Sequence, residues 1–244
     1  MVAGIRRICL WSGPRNVSTA LMYSFAQRPD TRVVDEPLYA HYLRVSGARH
    51  PGREEVLAGQ DSDGARVVRD LILGDFDRPV VFFKQMAHHL VDLDLSFLQE
   101  TIHCLLIRDP EEMLPSLVQQ IPQPRLEDTG LSRQVDLLRR LHELGQEPPV
   151  LDARELLLDP EGVLRQVCAA LGIFFVEAML TWNPGPRPED GIWARYWYHN
   201  LHRSTTFERY VRKTTPFPER LRPLLQECRP CYDVLYQAAI RSQR

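Results

Sequence analysis

Five short apolar runs, each closed by polar residues and followed by a helix-like stretch, confine this chain to an α/β architecture. The runs are IRRICLW (5–11), TRVVDEP (31–37), RPVVFFKQ (78–85), TIHCLLIRDP (101–110) and PPVLDARELL (148–157). Their length and their Val, Ile, Leu and Phe content suit strands buried on both faces. Ser18–Gln27 reads as a helix with Ala20, Leu21, Phe25 and Ala26 on its apolar face, and 53–73 as helical with breaks at Gly59 and Gly64. Further helices are expected from Pro110 to Val118, over Leu131–Leu144 and over 159–172. Asp109 and Asp159 stand as N-caps, each with proline at the first helical position, and Gly172 ends the second of these helices. A last helix spans roughly 218–239, and Pro230 is where it would break. Strands alternating with helices imply βαβ units. The expected fold is therefore α/β: a three-layer α/β/α domain over residues 1–244, with a central, mostly parallel five-stranded sheet and a C-terminal helical/loop lid.

Charge and cysteine content narrow the function. Thirty Lys and Arg stand against 32 Asp and Glu, a formal net charge of −2, which disfavours bulk nucleic-acid binding. The N-terminal apolar run is interrupted by Arg6 and Arg7, and no window of some 18 residues is apolar throughout. The expectation is a chain with no membrane segment. Five cysteines, Cys9, Cys104, Cys168, Cys228 and Cys231, form an odd set that fits a reducing, cytoplasmic compartment. Cys228 and Cys231 make a CxxC, but no second pair or nearby histidine completes a metal site. No metal is expected.

In sheets of this kind ligands bind beyond the carboxyl ends of the strands. The residues that matter most are then Ser12 to Thr19, Asp35 and Glu36, Lys84, and Arg108 with Asp109. The first strand runs through Ser-Gly-Pro-Arg-Asn-Val-Ser-Thr into a helix. Free backbone N–H groups and the helix dipole make such a junction an anion cradle. Arg15 adds a fixed charge, and Ser18 and Thr19 add donors. A plain βα turn with a capping serine would not explain an arginine inside the loop. The loop is not a Walker A motif: counting from Gly13, Ser18 and Thr19 fill the Gly and Lys positions and Ala20 follows. That points to an anionic donor handled without Mg²⁺. Arg108 leaves its strand end with Ser116 two helical turns further on, a pair suited to a second phosphate. The alternative is that Arg108 pairs with Asp109 or Glu112.

The P-R-x-x-S-T loop, the I-R-D-P…S segment (107–116) and LDARELLLDPEGVLRQVCAALGIFF (151–175) together resemble, in order and spacing, the motifs of sulfotransferases. The likeness is to the bacterial and plant branch sometimes labelled aminotransferase-like, although no pyridoxal-phosphate site is visible. The resemblance implies a P-loop-like fold and 3′-phosphoadenosine-5′-phosphosulfate as donor, with adenosine 3′,5′-bisphosphate as product. By position, Arg15 would touch the transferred sulfuryl group. Asn16, Ser18 and Thr19 belong to the 5′-phosphosulfate loop, and Arg108 and Ser116 would hold the 3′-phosphate. Val17 stands where glycine is common, so the loop should bend differently. Many members carry Lys-x-His after the third core strand. Here Lys84 is present, but Met86 replaces the histidine, and His88 and His89 follow at an expected helix start. Glu36, with Asp35 as acidic neighbour, is preferred to His88 as general base, and Lys84 would stabilise charge on the bridging oxygen.

Residues 182–217 read as a lid. Between 187 and 222 eight basic residues face four acidic ones, and Trp193, Tyr196, Trp197 and Tyr198 are placed to stack on adenine or shape an acceptor pocket. Arg212-Lys213 weakly resembles the family's C-terminal Arg-Lys motif, with Thr214 in place of glycine. The expected function is in-line sulfuryl transfer to a hydroxyl or amine of a small soluble metabolite. A P-loop-type phosphotransferase or kinase, and a non-catalytic nucleotide-binding module, are the competing readings. No nucleic-acid or membrane partner is expected, and a homodimer is compatible with the sequence. Sugar, amino alcohol, hydroxy acid and phenol all remain open as acceptors.

Overall fold

The computed structural model describes residues 4–212 and 214–243. Six strands, β1 (Arg6–Ser12), β2 (Thr31–Asp35), β3 (Val80–Met86), β4 (Ile102–Ile107), β5 (Val150–Asp152) and β6 (Ala239–Ile240), form one sheet in the order β2-β3-β1-β4-β5-β6. Every neighbouring pair is parallel. Helix α1 (Ser18–Ala26) follows β1. Helices α2 (Tyr39–Ser46), α3 (Arg53–Gly59) and α4 (Gly64–Val67) occupy the β2–β3 connection, and α4 runs into a π-helical turn at Val68–Ile72. Between β4 and β5 lie α5 (Pro110–Leu117), α6 (Leu126–Thr129) and α7 (Leu131–Glu143). After β5 come α8 (Ala153–Leu158), α9 (Pro160–Ala170), the short α10 (Ala194–Trp197) and α11 (Arg222–Gln237).

Alternation along β1 shows how the layers form. Ile8 and Leu10 face a core with Leu21, Met22 and Phe25 of α1 and Val163, Leu164 and Val167 of α9. Cys9 and Trp11 face the opposite core with Leu114 of α5, Leu137 and Leu141 of α7, and Leu235 of α11. All are essentially excluded from solvent. Burying each large side chain contributes about 1.5–3 kcal/mol. Helices therefore cover both faces, the expected α/β arrangement.

The expected N-caps are present: Asp109 accepts from the Glu111 N–H and Asp159 from the Gly162 N–H, each ahead of a proline. Two expectations are corrected. The sheet has six strands, not five. The terminal helix stops at Gln237, and Ala239 and Ile240 pair with Val150 and Leu151. Two residues carry no detectable period, and only the exposed edge of β5 makes them a strand. Pro230 does not break α11, whose Cys228, Tyr232 and Leu235 are held against the core on both sides of it. The stretch 53–73 divides near the two glycines, as expected. Helix α2, unforeseen from the sequence, starts at Tyr39, one residue beyond its N-cap Leu38, and is capped by Gly47, whose φ is 67°. No helix among the described residues is long and apolar enough to cross a membrane.

Candidate active site

The carboxyl ends of β1, β2 and β3 open into a cleft of about 380 Å³, roofed by Trp193, Trp197 and Tyr198. At one end stands the β1–α1 loop. Gly13 is required there because a Cβ would lie 2.5 Å from the Thr129 carbonyl oxygen. Helix α1 begins without a side-chain cap, so its positive end faces the loop. The loop bends at Arg15, with φ of 54°, whereas Val17 keeps φ at −90°. The β-branched residue at the usual glycine position is accommodated by moving the left-handed residue two places earlier.

Arg15 and Arg108 converge. Arg15 Nε donates to Ser116 Oγ at 2.9 Å, and Arg108 Nη1 donates to the Arg15 carbonyl at 3.0 Å. Burial, and then the neighbouring Arg108, hold the Arg15 guanidinium below its ordinary value. Glu112 lies 3.6 Å from Arg108 Nε, so the pairing considered from sequence coexists with the convergence. Ser18 and Thr19 line the cleft. Asn16 also lines it, but its amide is engaged by the protein: Nδ2 donates to the Leu106 carbonyl and Oδ1 accepts from the Val17 N–H. The first bond staples the loop to β4.

The other end is a buried charged cluster. Lys84 Nζ donates to Asp35 Oδ1 (2.8 Å), Glu36 Oε1 (2.5 Å) and the Tyr198 hydroxyl (2.8 Å). The two carboxylates and the phenol raise the Lys84 ammonium well above its ordinary value despite the opposing burial. Burial raises the Glu36 carboxyl, Lys84 opposes this, and Asp35 adds to it. Glu36 has φ of 40°, a conformation a non-glycine residue holds only where its surroundings impose it. The sheet imposes it: the Glu36 N–H donates to the Lys84 carbonyl at 2.8 Å, and its own carbonyl accepts from Gln60 Nε2.

His88 and His89 stand in a 3₁₀ turn, Ala87–His89, rather than at the start of an α-helix. Burial, and then His50, push the His88 imidazole down to about 3, which makes it a weak base. His89 is stacked between Tyr39 and Tyr42, with centroids 5.0 and 4.8 Å away.

The lid is tied to the same cluster. Asp35 Oδ2 accepts from the Tyr198 hydroxyl (2.8 Å) and the Gly191 N–H (3.1 Å), and Trp193 Nε1 donates to the Tyr198 oxygen. Further out, Asp190 accepts from the Tyr23 hydroxyl of α1. Tyr196 turns away to Glu55. Arg212 is exposed and Lys213 lies outside the described residues. Cys228 and Cys231 are free, and no group of metal-ligating side chains occurs among the described residues. Tyr39, Tyr42, His50 and Asp128, not singled out from the sequence, also line the cleft. Tyr39 and Tyr42, at i,i+3 directly after the β2 end, were the available signal.

Residues 6–239 match the sulfotransferase domain family, and the chain belongs to it. It is 41% identical over 226 residues to branched-chain-amino-acid aminotransferase-like proteins 2 and 1 of Arabidopsis thaliana. The match covers 92% of this chain and 40% of each relative, so the chain spans well under half their length. Among solved structures, the sulfotransferase domain from the curacin biosynthetic pathway superposes with a TM-score of 0.51 at 14% identity, covering 91% of this chain and 97% of its own. A sulfotransferase from Alicyclobacillus acidocaldarius gives 0.51 at 14%, covering 95% and 94%. These two likenesses concern the fold.

Proposed function

We propose that this cleft transfers a sulfuryl group from 3′-phosphoadenosine-5′-phosphosulfate to a hydroxyl of a small soluble metabolite in the cytoplasm. The observation that carries the reading is the polarity of one cleft: two converging guanidiniums beside an uncapped helix end, and a buried ammonium–carboxylate cluster opposite. The residues fit a donor with phosphates at both ends. Arg108 Nε is buried without a hydrogen-bond partner, its nearest carboxylate being Glu112 at 3.6 Å, so it retains a donor for an anion. Ser18, Thr19 and the first amides of α1 would hold the 5′-phosphosulfate, and Arg108 with Ser116 the 3′-phosphate.

In the transfer, an acceptor oxygen bonds to sulfur while the bond from sulfur to the 5′-phosphate oxygen breaks, and the acceptor's proton goes to a base. Glu36 is the base in this reading, because burial brings its carboxyl toward neutrality, where general bases work best. Lys84 offsets the charge that develops on the bridging oxygen, and Arg15 that on the sulfuryl oxygens.

The test is label transfer from ³⁵S-donor to a panel of alcohols in EDTA. Transfer that persists without metal and disappears in Glu36→Gln supports the reading. Phosphoryl transfer from ATP and Mg²⁺ in its place would make the protein a phosphotransferase. Donor binding with no labelled product would make it a binding module.

A further inference from the structure

The acceptor end of the cleft carries a charge pattern that the donor reading does not use. Its wall is aromatic. Tyr42 packs on His88 (5.0 Å, edge-on), His50 lies 5.8 Å from Tyr42 and 6.4 Å from Trp197, and Tyr39 donates or accepts at His50 Nδ1 over 2.9 Å. The imidazoles add no positive charge, because burial holds His50 and His88 below their ordinary values. His89 is 1% exposed, lines the cleft, and has an Nδ1 without a partner.

Carboxylates flank this box on two sides. Glu36 and Asp128 line the cleft together with Tyr39, Tyr42 and His50. Asp128 accepts the Arg125 N–H at 2.8 Å and makes no ion pair among the described residues. Apart from Arg15 and Arg108 at the donor end, Lys84 is the one cation among the described residues lining the cleft. Asp35 and Glu36 already outnumber it. The acceptor end is therefore negative and walled by ring faces, the combination that recognises an organic cation.

We infer that the acceptor is a small alcohol bearing a positively charged ammonium group. This rests on the sulfotransferase reading and narrows it: the ammonium sits between Tyr42, His50, Trp197 and Asp128, and its hydroxyl reaches Glu36 and Lys84. A hydroxy acid would meet like charge, and a neutral alcohol would leave Asp128 with its helix-capping bond but no counter-charge. The product is a zwitterionic sulfate ester.

The test is calorimetry on the protein saturated with adenosine 3′,5′-bisphosphate. The probes are choline, its neutral isostere 3,3-dimethylbutan-1-ol, and a hydroxy acid of similar size. Choline should bind about tenfold more tightly than the isostere. Asp128→Asn should remove most of that preference without altering bisphosphate affinity, and Trp197→Leu should remove most of it as well. An isostere or hydroxy acid that binds as well as choline would overturn the inference, as would no detectable choline binding. Failure of the bisphosphate itself to bind would be a different result, since it removes the donor reading first.

Discussion

The Tyr198 hydroxyl lies 2.8 Å from Lys84 Nζ and 2.8 Å from Asp35 Oδ2, so one phenol from the lid closes the charged cluster at the ends of β2 and β3. The lid is thereby part of the site's electrostatics rather than only a cover. Tyr198→Phe keeps the ring and removes these bonds and the acceptor for Trp193 Nε1. It should lower kcat about tenfold and stability by about 1–2 kcal/mol, the usual effect of losing buried hydrogen bonds. Bisphosphate affinity should not change. Steady-state kinetics with a melting curve would check this, and a change confined to donor affinity would contradict it.

Lys84 compensates two buried carboxylates. Lys84→Met leaves Asp35 and Glu36 uncompensated and should destabilise the fold by about 3–5 kcal/mol. Adding Glu36→Gln to Lys84→Met should recover part of that loss. Denaturant unfolding of the single and double variants measures the coupling, and strict additivity would show that the pair is not the cause.

Gly13→Ala places a methyl 2.5 Å from a backbone oxygen on Thr129. Neither backbone can yield cheaply, so the loop must shift. The expected outcome is at least a tenfold loss of bisphosphate affinity, since charge-assisted phosphate contacts contribute about 1.5–3 kcal/mol each. Unchanged affinity would mean that the loop does not hold the anion.

The strand ends were legible because their residues are local. Arg15, Lys84 and Arg108 each terminate or follow an apolar run, and a parallel sheet carries all such ends to one edge. The capping aspartates were equally plain, since Asp-Pro is a signal within one turn. The sixth strand was not legible, because Ala239 and Ile240 become a strand only through the edge of β5. Apart from Trp197, the wall of the proposed acceptor end was hidden for a related reason. Tyr42 and His50 come from the β2–β3 connection, Asp128 from the β4–β5 connection and Trp197 from the segment after β5, and only the folded chain puts them around one cavity. Asn16 shows what the sequence could not tell: its side chain lines the cleft and also holds the loop to β4.

Acid stability follows from a buried histidine outside the site. His103 accepts from Trp11 Nε1 at 3.0 Å and faces the Leu98 carbonyl at 2.9 Å, and burial pushes its imidazole down to about 4. The unfolded chain protonates it near pH 6.5, so as pH falls the unfolded state binds the proton first. Its contribution to stability is complete above about pH 6.5 and drains away down to about pH 4. His103→Asn should flatten the stability–pH slope in that window by about 1.4 kcal/mol per pH unit. Urea titrations between pH 4 and 7 would show it, and an unchanged slope would contradict it.

The proposed sulfuryl transfer requires Arg108 and the loop at Arg15 to form a metal-independent site for a 3′,5′-bisphosphorylated nucleotide. The most direct test is calorimetric titration of adenosine 3′,5′-bisphosphate in EDTA against wild type and Arg108→Ala, with ATP and Mg²⁺ as the parallel ligand. The expected result is micromolar binding of the bisphosphate, weakened about a hundredfold in Arg108→Ala, and little affinity for ATP with Mg²⁺. Preference for ATP and Mg²⁺, or bisphosphate binding indifferent to Arg108, would contradict it.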